Sequence, residues 1–177
     1  MNYTIETLIS REEVESRIKE LAKLIETDYK EKDLICVGLL KGSVMFLSDL
    51  IKEITLPLQI DFMNVSSYGS ETTSSGNVKV IKDTDIDVRG KDVLIVEDII
   101  DTGITLEYVI GMFKTKGVAS VKTCTLLSKP ERRKIDVKVD YIAFEVPDKF
   151  VIGYGLDYAQ KYRNLPYIGA VVFEENK

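Results

Sequence analysis

The densest chemistry in this chain lies in one stretch, VLIVEDIIDTGITL, from Val93 to Leu106. The apolar run Val93–Val96 leads into Glu97 and Asp98, and a third acid, Asp101, is followed by Thr102, Gly103, Ile104 and Thr105. A buried strand that ends in acids and turns into a helix offers two kinds of binding at once. The first helical turn carries N–H groups without intrahelical partners and the positive end of the dipole. Short hydroxyl side chains and a glycine let a phosphate approach that turn. Glu97 and Asp98, at the strand end, suit sugar hydroxyls or a hydrated Mg²⁺, a hard cation that takes oxygen ligands. The pattern points to a sugar phosphate, with Asp101 as one further carboxylate beside a reacting carbon.

Other readings of the same residues are open. The loop is also compatible with an acidic surface turn in which Asp101 or Thr102 is an ordinary N-cap. Asp-Thr-Gly occurs in aspartic proteases, where two carboxylates share a proton, but a helix face follows here. A phospho-acceptor receiver would draw its acids from separate strand ends rather than one loop.

The rest of the composition narrows the field. The chain has 177 residues, 24 Lys and Arg against 29 Asp and Glu, and a net charge of −5. A mildly acidic chain is a poor prospect for non-specific nucleic-acid binding. There is no histidine, so acid–base work falls to Asp, Glu, Lys or Tyr. Cys36 and Cys124 lie in apolar runs and read as buried thiols with no zinc-type spacing. The N-terminus lacks a signal pattern, and no apolar run approaches the ~20 residues that span a bilayer. These features predict a cytoplasmic protein without membrane or nucleic-acid partners.

The elements that must position the acids follow from periodicity. Ser10 and Glu13 form a capping-box pattern, and Val14, Ile18, Leu21 and Ile25 recur at helical spacing over 11–29. LICVGLL at 34–40 is a buried strand, followed by Lys41-Gly42-Ser43 and a helix with Val44, Leu47, Leu50 and Ile51. A strand is expected over 58–68, a Ser/Thr/Gly-rich loop over 66–77, and VKVI at 78–81 as its hairpin partner. DVLIVED is the next strand; Leu106, Val109, Ile110 and Phe113 mark a helix face, with Gly117 as its C-cap. Strands at 121–127, 140–146 and 168–173 complete the reading. Alternating strands and helices predict an α/β fold with a mainly parallel sheet flanked by helices. Ligands bind such sheets beyond the carboxyl ends of the strands, where Lys41-Gly42-Ser43 and Glu97–Thr105 lie.

EDIIDTG, with LKGS before it and SKPERR, DKFVIGYGLDY and KYRNLP after it, resembles type I phosphoribosyltransferases over nearly the whole chain. Within them it is most similar to the hypoxanthine-guanine branch in its short bacterial form. One departure is Ile104, where some relatives carry Lys.

The resemblance implies one domain over 1–177, with a purine-binding hood built by 147–177 and part of the N-terminus. It implies transfer of phosphoribose from phosphoribosyl pyrophosphate (PRPP) to hypoxanthine or guanine, giving IMP or GMP and pyrophosphate, with Mg²⁺. Asp101 would be the general base. Glu97, Asp98 and Asp101 with Thr102, Gly103, Ile104 and Thr105 would hold ribose and 5′-phosphate. Leu40, Lys41, Gly42 and Arg163 would hold pyrophosphate, with a non-proline cis peptide at Leu40–Lys41. Lys129, Phe150, Val151 and Asp157 would meet the purine; Glu97, Asp98 and Asp157 would hold metal. Ser67 and Tyr68 would belong to a lid over 66–77. A homodimer or homotetramer is implied as well. The competing class is a PRPP-sensing regulator, which would need a basic nucleic-acid face. The one dense basic patch, KPERRK at 129–134, overlaps the implied purine site.

Overall fold

The computed structural model describes residues 3–67 and 78–173. The central sheet has six strands in the order β4-β3-β2-β5-β6-β7. They are β2 (Leu34–Leu39), β3 (Leu58–Ser67), β4 (Val78–Lys82), β5 (Asp92–Ile100), β6 (Ser120–Ser128) and β7 (Tyr141–Glu145). Only the β3–β4 pair is antiparallel; β3, β2, β5, β6 and β7 run parallel to one another. The fold is α/β with a mainly parallel sheet between helices, as the alternation of patterns predicts.

Strand residues divide between two cores by parity, because successive side chains point to opposite faces. Cys36, Leu94, Val96 and Cys124 face α1 (Arg11–Tyr29) and α2 (Val44–Glu53). Ile35, Val37, Val93 and Ile95 face α3 (Ile104–Thr115), through Val109 and Phe113. Helix α1 starts where its capping box requires: Glu13 N–H donates to Ser10 Oγ at 3.3 Å, and Ser10 N–H to Glu13 Oε2 at 2.8 Å. Its Val14, Ile18, Leu21 and Ile25 are buried. Both cysteines are free and buried, and burial pushes the Cys36 thiol up to about 12.

A second sheet has the order β1-β9-β8, in which β9 is the strand expected at 168–173 and the two outer strands were not expected. It joins β1 (Tyr3–Ile9), β9 (Ile168–Phe173) and β8 (Val151–Ile152). Tyr3 pairs with Phe173 and Ile5 with Val171, so the first and last described strands close on each other. Ile9, Val151 and Ile168 join the same apolar core as α1 and α2, which fixes this small sheet to the large one.

The expected strand over 58–68 and the expected loop over 66–77 overlap, and the structure divides them. Ser66 and Ser67 continue β3, paired with Lys79 and Val78, because the antiparallel ladder satisfies their backbone groups. The rest of the expected lid, from Tyr68, lies outside the described residues, as does the Ser67 side chain. Residues 130–132 form a single 3-10 turn directly after Lys129.

The chain runs from β2 outward to β3 on one side and from β5 to β6 and β7 on the other. The order therefore reverses between β2 and β5, and a crevice opens beyond their carboxyl ends. Among the described residues, no helix is long and apolar enough to cross a membrane.

Candidate active site

The two loops at that switch point are Leu40–Ser43, after β2, and Asp101–Gly103, after β5. The peptide between Leu40 and Lys41 is cis, as the resemblance implies. Lys41 is exposed, while Gly42 and Ser43 are buried. Ser43 Oγ donates to Leu39 O at 2.7 Å and ties the loop to the strand it leaves.

Glycine lets these loops approach one another. A Cβ on Gly42 would fall 1.6 Å from Asp98 Oδ2, so the Asp98 carboxylate rests directly on the Gly42 backbone. A Cβ on Gly155 would fall 1.9 Å from Gly42 O. Asp98, Gly42 and Gly155 thus stack in contact, joining the β5 end, the β2 loop and the segment after β8.

Helix α3 begins at Gly103, which has φ +87° and supplies no side-chain cap. Thr102 Oγ1 accepts from Ile104 N–H only at 3.4 Å. Neither Asp101 nor Thr102 is an ordinary N-cap here, and the first turn of α3 presents its N–H groups to the loop. Glu97, Asp101, Thr102, Gly103 and Thr105 line one small cavity. That is a phosphate-sized cradle bordered by carboxylates.

Burial, then the neighbouring charge of Asp98 and a hydrogen bond to it, pushes the Glu97 carboxyl well above the usual range. Burial also raises Asp98, although the Ile99 N–H bond at 2.9 Å and the charge of Arg163 oppose it. Glu97 Oε2 is enclosed without a hydrogen-bond partner. A buried carboxylate oxygen lacking a donor is costly, and a cation would satisfy it. The donor set suits Mg²⁺, which uses one or two carboxylates together with substrate phosphates. Among the described residues, no three His, Cys, Asp or Glu side chains already converge on one metal position.

The remaining implied residues flank this cleft. Lys129 is buried at the end of β6; its N–H donates to Ile100 O at 3.0 Å, and its Nζ lies 3.4 Å from Asp148 Oδ1. Phe150 is 46% exposed, and its ring packs T-shaped against Tyr158 with 5.4 Å between centroids. Val151 lies in β8 at the sheet's edge and pairs with Ala170, leaving the outer side of its backbone without a ladder partner. Arg163 Nη1 donates to Gly155 O at 2.7 Å, and its Nη2 lies 2.7 Å from Asp157 Oδ1. Asp157 Oδ2 also accepts from Gln160 N–H, so in this structure both oxygens of that carboxylate are engaged.

A family profile described as "Phosphoribosyl transferase domain" matches residues 5–159. The chain belongs to the phosphoribosyltransferase family. A hypoxanthine-guanine phosphoribosyltransferase from Bacillus subtilis is 52% identical over 172 residues, covering 97% of this chain and 96% of the relative. A hypoxanthine phosphoribosyltransferase from Salmonella typhimurium is 50% identical, covering 97% and 98%. The crystal structure of a hypoxanthine phosphoribosyltransferase from Staphylococcus aureus superimposes with a TM-score of 0.91 at 50% identity, covering 94% of this chain and 91% of that one.

Two contacts in this phosphoribosyltransferase escaped the sequence reading. Arg132 Nε lies 3.1 Å from Asp101 Oδ1, and Arg132 Nη1 lies 3.4 Å from Asp148 Oδ1. The basic run KPERR was the available signal, but nothing local says which carboxylate each cation meets. The Gly155–Gly42 contact was equally hidden, since it joins residues far apart in sequence.

Proposed function

We propose that this enzyme transfers the 5-phosphoribosyl group from PRPP to hypoxanthine or guanine, releasing pyrophosphate and giving IMP or GMP. The observation that carries the reading is the Asp98–Gly42–Gly155 stack, with Arg163 bonded to Gly155. It gathers a phosphate cradle, an acid pair and a cation at one switch point, the set that a ribose bearing phosphate and pyrophosphate requires. The near-full-length relatives named for hypoxanthine support the same base class.

In this reading Asp101–Thr105 hold the 5′-phosphate on the first turn of α3, and Glu97 and Asp98 hold the ribose hydroxyls. As the C1′–O bond breaks, the ribose becomes oxocarbenium-like and charge grows on the departing pyrophosphate. The Leu40-Lys41-Gly42 backbone and Arg163 stabilise that charge. Glu97 and Asp98, and Asp157 for a second ion, would hold Mg²⁺, which would supply further charge neutralisation. Asp101 accepts the proton from purine N7 as N9 attacks, a role worth ~10²–10⁴-fold in general. Lys129 donates to the 6-oxo group and meets a 6-amino group with like donors, so adenine is rejected. Phe150 stacks on the base and the Val151 backbone meets its edge. The 147–173 segment with β1 forms the hood.

The test is product formation with PRPP, Mg²⁺ and each of hypoxanthine, guanine, xanthine and adenine. Turnover of hypoxanthine and guanine with none of adenine is expected. PRPP binding without turnover of any base would favour a sensor instead. The reading carries a cytoplasmic homodimer or homotetramer; sedimentation as a single 20.0 kDa chain would count against that assembly.

A further inference from the structure

Four charged groups run in a line across the purine side of the cleft. Asp101 meets Arg132, Arg132 meets Asp148, and Asp148 meets Lys129, at 3.1, 3.4 and 3.4 Å. Signs alternate along the line, and its two ends are the groups assigned to purine N7 and to the 6-oxo group. We propose that Arg132 is a positioning residue that ties the base Asp101, through Asp148, to the purine donor Lys129, so that both meet the purine as one unit. The proposal rests on the roles given above to Asp101 and Lys129.

Three observations support it. Asp101 Oδ1 is enclosed and makes no aligned hydrogen bond, so the charge of Arg132 is its nearest compensation. Arg132 is the third residue of the 3-10 turn Pro130–Arg132, and its N–H donates to Lys129 O at 3.2 Å. The turn therefore fixes the spacing of the two backbones from which the Arg132 and Lys129 side chains extend. The same segment is fastened to the phosphate loop, since the N–H groups of Lys134 and Ile135 both donate to Thr102 O, at 3.0 and 3.1 Å. Arg132 thus stands on a short brace between the two loops that carry the purine-facing groups. Its guanidinium suits the place, because Nε and Nη1 address two carboxylates at once. Half-exposed ion pairs add little stability, so what the bridge supplies is orientation.

The experiment is a double-mutant cycle on steady-state kinetics with hypoxanthine and PRPP, using R132Q, D101N and D101N/R132Q. R132Q is expected to lower kcat about tenfold, less than the ~10²-fold that a full ångström of misplacement costs. Its KM for PRPP should stay within about twofold, because Arg132 meets the Asp101 carboxylate and not the backbone N–H groups proposed to hold the 5′-phosphate. In the D101N background the R132Q effect should fall below about twofold, since a residue that acts through Asp101 has nothing left to position. Wild-type kcat in R132Q, or a loss of the same size in both backgrounds, would overturn the bridge. Wild-type turnover in D101N would instead overturn the base assignment, so the two failures are distinguishable.

Discussion

Gly155→Ala tests whether the hood and the pyrophosphate loop depend on close backbone contact. Gly155 has φ +102°, a region that L side chains rarely adopt, and forcing alanine there costs about 1–2 kcal/mol. The new methyl would lie 1.9 Å from Gly42 O and 3.0 Å from Gly42 C. A carbon and an oxygen need about 3.3 Å, so one backbone must retreat by roughly 1.4 Å. Overpacking of that kind costs about 1–3 kcal/mol, for a total near 2–5 kcal/mol. At 2–4 °C per kcal/mol for a chain of this size, thermal unfolding should drop by roughly 4–20 °C. The functional effect should be larger, because the retreating groups are the ones proposed to meet pyrophosphate. Gly42 carries that loop, and Gly155 holds Arg163 through both its N–H and its C=O. A shift beyond 1 Å predicts a loss of about 10²-fold in kcat/KM for PRPP. The assay is kcat/KM for PRPP at saturating hypoxanthine, well below the melting temperature of the variant. A variant that melts with wild type and keeps kcat/KM for PRPP within twofold would refute the contact or its role. A variant that is destabilised but fully active would show that the stack serves folding alone.

Three further outcomes are expected. Lys129→Gln should raise the KM for hypoxanthine by about 10–100-fold, the worth of a charge-assisted hydrogen bond, and leave the KM for PRPP nearly unchanged; the reverse pattern would remove Lys129 from the purine site. Asp61 is buried and accepts the N–H groups of Phe62, Asp85 and Ile86 at 2.7, 2.7 and 2.9 Å. Burial alone would raise its carboxyl, but those donors and Lys82 hold it below the usual range. A lowered folded-state pKa gives stability that is present above the ordinary carboxylate value of ~3.9 and is lost as pH falls through the folded value. Asp61→Asn should therefore cost about 1–3 kcal/mol in urea unfolding at neutral pH, with the gap to wild type narrowing under acid; a gap independent of pH would contradict the assignment. Leu94→Ala, at a fully buried position of the central strand β5, should cost about 2–5 kcal/mol by the same measurement, and a loss under 1 kcal/mol would mean the core closes over the cavity.

The sequence by itself determined the parts whose physics is local. The capping box at Ser10 and Glu13, the apolar spacing of α1, the all-apolar strand β2 and the apolar run Val93–Val96 of β5 each carry their own signal over a few residues. The same holds for the acidic loop, because a strand end, a glycine and a helix start must be contiguous to cradle phosphate. The order of motifs then pointed to the family and to the residues that line the cleft. What the tertiary structure decided was every feature that depends on a partner far along the chain. Tyr3–Ile9 has only a weak alternation and is a strand because β9 completes its ladder. Val151–Ile152 is too short to announce itself and is defined by Ala170 and Gly169. Ser66 and Ser67 fit both the expected strand and the expected loop, and fall to the strand because Lys79 and Val78 pair with them. Arg132 found Asp101, and Gly155 found Gly42, through the packing of loops whose separation in sequence leaves no trace in either segment. Composition and period encode how a segment folds on itself, whereas long-range contacts are chosen by burial and hydrogen-bond satisfaction of the whole chain.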